Sequence, residues 1–231
     1  MRTATGALGV AGALAWVAPA PAAHVGALCD MLGIVRRIDL GSNAVGLTFD
    51  DGPHRDGTPA VLAALDAAGA QATFFVVGEQ IRREPQIVRE IAAAGHRLAV
   101  HGDRHRALTA VPPTRLRADL DRCAELIGEL TSQVPDRYRP PYGIFSPAGL
   151  LESRSRGWTP LLWSAWGRDW RASATPDSIA RLVTRSLHAG DVVLLHDADH
   201  YSSPGSWRRT ADALPRILDA LADRGLRAVA V

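Results

Sequence analysis

The sequence contains no lysine: all 26 of its ordinary basic side chains are arginines, a bias that reads as high-G+C coding. Formal net charge is only +2. The arginines are scattered, as in Arg36/Arg37, Arg82/Arg83 and Arg208/Arg209, and no basic stripe is interleaved with aromatics, so nucleic acid is not an expected partner. Cysteine is almost as scarce. Cys29 and Cys123 lie far apart without CxxC spacing, which excludes a cysteine metal site and leaves no disulfide to infer; two thiols packed in apolar surroundings are expected. Internal repeats, low-complexity linkers and a second-domain boundary are missing too, so the 231 residues read as one domain, expected as a monomer, behind a short leader. A hydrophobic fraction of 47% and a charged fraction of 22% suggest neither disorder nor a polytopic membrane protein.

The leader is assigned to residues 1–43 and the domain to 44–231. After Arg2, the stretch Ala7 to Ala23 carries no charge and ends in Ala-Pro-Ala-Pro-Ala-Ala, the layout of a secretory signal with small residues near a cleavage point. Apolar character resumes in Val25 to Val35, so an uncleaved membrane anchor is a rival reading, and a surface helix packed on the domain is a third. Leu28 before Cys29 argues against a lipoprotein anchor. The first two readings place the protein outside the cytoplasm, secreted or anchored at its N-terminus.

From Ala44 onward, short β-branched or aromatic runs alternate with Ala/Leu/Arg stretches of helical period. Seven strands are predicted: Ala44–Phe49, Ala72–Val77, Arg97–Val100, Arg137–Arg139, Pro160–Ser164, Asp191–Leu195 and Leu226–Val231. Helices are predicted over Thr58–Ala68, Pro85–Ala94, Thr114–Thr131, Pro147–Arg156, Pro176–Ala189 and Thr210–Arg224, most of them followed by Gly. The pattern predicts an α/β fold with a parallel sheet and covering helices, closed or partly open as a barrel.

Each cluster of unusual polar residues falls at the C-terminal end of a predicted strand, where such folds place their active sites. Thr48-Phe49-Asp50-Asp51-Gly52-Pro53-His54 offers two adjacent carboxylates that alternation would aim in different directions, one for a metal and one as a base. An acidic turn that merely ends the strand is the plainer reading. In His101-Gly102-Asp103-Arg104-His105, two histidines four apart can share a cation if the segment curls into a helical turn, and with Asp50/Asp51 they make the ligand set of a catalytic zinc site. Arg139-Pro140-Pro141-Tyr142-Gly143 is a rigid turn able to hold Arg139 against a carboxylate and present the Tyr142 amide. Trp166-Gly167-Arg168-Asp169-Trp170 sets a carboxylate among aromatics that serve a core or a sugar platform equally well. Leu194-Leu195-His196-Asp197 delivers an imidazole suited to a general acid.

These clusters, in this order from about Val45 to Val231, closely resemble the NodB-homology polysaccharide deacetylases, carbohydrate esterase family 4. TFDDG (Thr48–Gly52), RPPYG (Arg139–Gly143) and LLH (Leu194–His196) carry the likeness. The resemblance implies a single distorted (β/α) barrel of about seven parallel strands with outer helices. It implies that Asp51, His101 and His105 bind a divalent metal, usually zinc, and that Asp50 is the base. Arg139 would orient Asp50, His196 would protonate the departing amine, and Asp169 would pair with Arg139 and tune His196. Trp170 and Leu194 would wall an acetyl pocket, and the Tyr142 amide would face the oxyanion. Two positions depart from the family pattern: Gly102 stands where Ser or Thr is usual, and Trp166 where an earlier Asp often is.

The function this implies is metal-dependent removal of N-acetyl groups from a glycan. An O-acetyl esterase on the same scaffold, a degenerate deacetylase that only binds cell-wall glycan, and a non-haem iron oxygenase with a similar ligand set are the alternatives. The segment Asp197–Thr210, with His200, Tyr201, Trp207 and Arg208, reads either as a groove-lining loop or as a solvated connector.

Overall fold

A computed structural model describes residues 26–41 and 43–231. The signal or anchor stretch Ala7–Ala23 lies outside the described residues. Among those described, no helix is long and apolar enough to cross a membrane.

The organising element is β1 (Ala44–Asp50), buried along its whole length. A strand covered on both faces needs a near-continuous apolar run rather than alternation, and Ala-Val-Gly-Leu-Thr-Phe supplies one, its single hydroxyl satisfied by the Val193 carbonyl and Arg139. Around it lie β2 (Thr73–Val76), β3 (Arg97–Val100), β4 (Arg137–Tyr138), β5 (Thr159–Pro160), β6 (Ala165–Trp166), β7 (Val192–His196) and β8 (Arg227–Val229). Every ladder is parallel. The order is β5-β4-β3-β2-β1-β7-β6, and β8 pairs with the first residues of β1, Ala44 opposite Arg227. Parallel neighbours require crossovers, which the helices provide. These are α1 (Gly26–Met31), α2 (Gly57–Ala67), α3 (Gly78–Arg83), α4 (Pro85–Ala93), α5 (Pro113–Thr131), α6 (Pro147–Ser155), α7 (Pro176–Thr184) and α8 (Ser206–Ala222). Helix α8 buries Ala213, Leu214, Ile217, Leu218 and Leu221, a stripe of helical period that packs beside α2 and α7.

The architecture is a parallel barrel of short strands ringed by helices, with one irregular stretch. The predicted strand Pro160–Ser164 is not one strand. It is split between β5 and β6, at opposite ends of the strand order, and residues 161–164 cross the gap between them. The reason is chemical: the carbonyls of Leu161 and Leu162 accept hydrogen bonds from the buried Arg139 guanidinium, at 3.2 and 3.0 Å, instead of joining a ladder. Other boundaries shift less. Helix α7 ends at Thr184, not Ala189, because the chain turns so that the His188 N–H can donate to Asp191. Helix α8 starts four residues early, and α3 was not predicted, being too short for a periodic signal.

Residues 26–40 lie in the stretch assigned to leader, anchor and linker, for which a surface helix packed on the domain is the third reading. Cys29 and Ile34 are buried in the main core, Val35 N–H donates to Pro160 and its carbonyl accepts from Leu162 N–H, and Ile38 N–H donates to Gly190. This segment therefore packs across the same gap. Asp191, 1% exposed, fastens it: its carboxylate accepts from Arg37 Nε (2.6 Å), Ser164 Oγ (2.6 Å) and His188 N–H (2.8 Å). Asp191→Ala leaves two inward donors without their acceptor, and we expect a loss of about 2–4 kcal/mol. Urea unfolding should show a lower midpoint at unchanged slope.

Candidate active site

The register of the sheet sets the site. Asp50 ends β1 directly opposite His196 at the end of β7, so two titratable groups from distant parts of the sequence share one level of the barrel. The next residue, Asp51, has φ +79°, an unfavourable region for a side chain of this kind. Alternation alone would aim adjacent acids at opposite faces; the left-handed backbone at Asp51 instead returns its carboxylate to the cleft that Asp50 also lines. The cleft has a volume of about 360 Å³.

Asp51 Oδ1 lies 3.3 Å from His101 Nε2 and 3.3 Å from His105 Nε2. All three residues present ligand atoms within 4.8 Å of one another, the sole such group among the described residues. The donor chemistry fits a cation. His101 Nδ1 faces the Arg139 carbonyl at 2.8 Å, which makes Nδ1 the donor and leaves a lone pair on Nε2 of the neutral ring. Asp51 Oδ1 is buried without a hydrogen-bond partner. Lone pairs that converge on one point repel unless a positive ion stands between them.

The histidines are not brought together by a helical turn, as the spacing suggested. Residues 101–107 form an irregular loop in which Gly102 has φ +103°, and a Cβ at that position would come within 3.0 Å of Asp119 Oδ2. Glycine here is what the backbone requires. Behind the loop, Asp119 accepts from Asp103 N–H (2.8 Å) and pairs with Arg106 (3.0 Å), while Asp103 pairs with Arg82 at 2.6 Å.

Arg139 is fully buried and donates NH1 to Asp50 Oδ1 at 2.6 Å and to Thr48 Oγ1 at 2.9 Å. Its pairing with Asp169, implied by the family resemblance, is not found: the Arg139 fork is taken up by Asp50, Thr48 and two carbonyls. Asp169 faces His196, the other partner named for it. Its Oδ1 lies 2.9 Å from His196 Nδ1, and its Oδ2 accepts from the His196 main-chain N–H (2.7 Å) and Thr210 Oγ1 (2.8 Å). Burial opposes charge on this imidazole, but Asp169, with Asp51 and Asp50 beyond it, raises its pKa to about 10.

Across the cleft stand Trp163, Trp166, Trp170 and Leu194. Trp170 meets His196 edge-on, with centroids 5.5 Å apart, and Trp166 lies between Trp163 and Trp170 at 5.7 and 5.3 Å. Trp166, at the departing position, thus extends an aromatic wall. Tyr142, at φ +61° in the turn after Pro140-Pro141, is 58% exposed at the rim and sits edge-on to His105.

Three participants carry no individual role in the sequence, although each lies in a motif or segment singled out there. Thr48 relays between Arg139 and the Val193 carbonyl, to which it donates at 2.6 Å. Asp197, buried, accepts from Thr58 Oγ1 at 2.5 Å, and burial pushes its carboxyl up to about 7. Tyr201, in the segment that read as groove lining or connector, lines the cleft and stacks on His105.

The sequence matches the polysaccharide deacetylase family over residues 37–160. A chitooligosaccharide deacetylase of Sinorhizobium fredii is 35% identical over 202 residues, 85% of this chain and 94% of that protein. The crystal structure of a peptidoglycan N-acetylglucosamine deacetylase in complex with an N-oxidanyl-benzamide superposes with a TM-score of 0.81 at 29% identity, over 87% of this chain and 92% of that one. A family 4 carbohydrate esterase from Streptomyces lividans, in complex with acetate, superposes with a TM-score of 0.72 at 32% identity, over 80% of this chain and 91% of that one.

A raised His196 pKa contributes stability that is full below the ordinary imidazole value of 6.5 and is lost as pH rises through about 10. We expect metal-free protein to lose stability across that window and His196→Gln to lose less. Urea midpoints taken at several pH values would show parallel curves for the two proteins if the coupling to Asp169 were absent.

Proposed function

This chain is an enzyme of the polysaccharide deacetylase family, and we propose that it removes N-acetyl groups from a glycan by hydrolysis of the amide, using Asp50 as base and His196 as acid. The observation that carries this reading is the pairing of Asp50 and His196 across one ladder, beside three converging metal-type donors.

The ligands for a divalent cation, which we take to be zinc, are Asp51, His101 and His105. When bound there, such an ion supplies Lewis acidity that polarises a carbonyl and acidifies water. The remaining work falls to the chain. Arg139 occupies Asp50 Oδ1, which leaves Oδ2 to take the proton from the attacking water. The Tyr142 main-chain N–H receives the oxyanion as the tetrahedral carbon forms. His196, its Nδ1 held by Asp169, delivers a proton from Nε2 to the amine nitrogen, so that nitrogen leaves neutral rather than as a poor anionic leaving group. Trp170 and Leu194 close on the acetyl methyl, excluding water from the apolar side of the cleft.

The same wall supports a substrate class. A row of indoles suits the apolar faces of uncharged acetylated sugars, and glycans of the chitin-oligomer or peptidoglycan kind are the proposed targets. Peptidoglycan lies outside the cytoplasm, and we place the protein there.

We expect acetate release from N-acetylglucosamine oligomers or peptidoglycan to vanish on chelation and return with zinc. Asp50→Asn should lower kcat by about 10²–10⁴-fold while zinc binding persists. Release from O-acetylated xylan but from no N-acetylated glycan would replace the amidase with an esterase. Full activity in Asp50→Asn would remove this residue from the mechanism.

A further inference from the structure

The two imidazoles beside Asp51 are held in different ways. His101 is fixed by a hydrogen bond, its Nδ1 donating to the Arg139 carbonyl at 2.8 Å. That arrangement is the usual one for a metal-binding histidine, whose second nitrogen needs a partner to set the ring's tautomer and direction. His105 has no such partner: its Nδ1 is buried and makes no hydrogen bond. Something else must hold its ring with Nε2 toward Asp51.

The Tyr201 ring lies flat on it. The centroids are 4.1 Å apart and the planes differ by 8°, the closest ring pair among the described residues. On another side Tyr142 touches His105 edge-on at 4.6 Å, but Tyr142 is 58% exposed and its hydroxyl is not anchored by any described hydrogen bond. Tyr201 is anchored twice. Its hydroxyl donates to Glu79 Oε1 at 2.5 Å and accepts from Gln80 Nε2 at 2.8 Å, both at the start of α3. The loop that carries it is pinned as well: Asp199 accepts from Gly205 N–H at 2.6 Å and lies 3.3 Å from His54 Nε2. A ring fixed at its hydroxyl and at its backbone can restrain a neighbour that has only van der Waals and π contacts to offer.

We propose that Tyr201 is a positioning residue of the metal site, its anchored ring taking over for His105 the orienting role that a main-chain carbonyl performs for His101. This rests on the assignment of Asp51, His101 and His105 as metal ligands. The loop after β7 thereby acts on a ligand that the loop after β3 supplies. Removing the ring frees His105 to rotate about its side-chain bonds, and the ion is then held by two oriented ligands and one loose one.

Zinc affinity, measured by competition with a chromophoric chelator on intact protein, tests this without any substrate. Losing a group that orients a metal ligand typically lowers metal affinity about 10–100-fold. We expect Tyr201→Leu, which keeps bulk but not the stack, to weaken zinc binding by about 10-fold or more, and Tyr201→Phe, which keeps the ring but loses the hydroxyl anchors, to fall between it and wild type. The cobalt(II)-loaded protein should show an altered visible spectrum in Tyr201→Leu and a near-native one in Tyr201→Phe, a difference that general loosening of the fold would not produce. Tyr201→Ala serves as a second variant should Tyr201→Leu fail to fold. Unchanged zinc affinity and cobalt spectrum in a folded Tyr201→Leu or Tyr201→Ala protein would overturn the inference. Wild-type protein that binds no zinc, or binds it as well after His101→Ala, would instead overturn the ligand assignment on which it rests.

Discussion

A guanidinium without exposure to water sits where the strands of this barrel converge. Burying Arg139 is costly, because burial disfavours its charge, and the cost is offset only where each nitrogen of the fork finds an acceptor. Here Asp50, Thr48, Leu161 and Leu162 take those positions, and the Phe75 ring covers one face at 4.1 Å. The Arg139 carbonyl, in turn, receives the His101 imidazole. One residue thus orients the proposed base, fixes a proposed metal ligand and holds the irregular stretch across the gap in the barrel. Lysine, a point charge without a fork, could serve at most part of this.

The site divides into parts set by strands and parts set by loops. Asp50 and His196 are placed by ladder register, and their spacing is as rigid as the sheet. Asp51, His105, Tyr142 and Tyr201 are placed by turns, two of them at positive φ. Turns need independent fastening, and the structure supplies it through the Asp103–Asp119 cluster behind the histidines and the Glu79–Gln80 grip on Tyr201.

This division also explains what could be read from the sequence. Apolar runs and helix-ending glycines locate most strands and helices to within a few residues, and polar clusters at strand exits point to the cleft. The interruption at Leu161–Leu162 was illegible, since the run is apolar and only the distant Arg139 shows why it cannot continue a ladder. Of the two partners the resemblance implies for Asp169, only His196 lies beside it; sequence order could not show that the Arg139 fork is spent on Asp50, Thr48 and two carbonyls. Tyr201 lay in a segment with no period or family pattern. Its contribution is a stack on a residue 96 positions earlier, which only the folded chain brings about.

The pairing of β1 with β7 has a consequence in time. Thr48 and Val193 are 145 residues apart along the chain, and Thr48 and Arg139 are 91 apart. Contacts of such separation form late, because the entropy of closing the intervening loop is lost before the contact repays it. A growing polypeptide can therefore hold its acids and its first histidines long before they face a proton donor. The cleft becomes complete only once β7 has been synthesised and inserted beside β1, so any activity of this site waits for that strand.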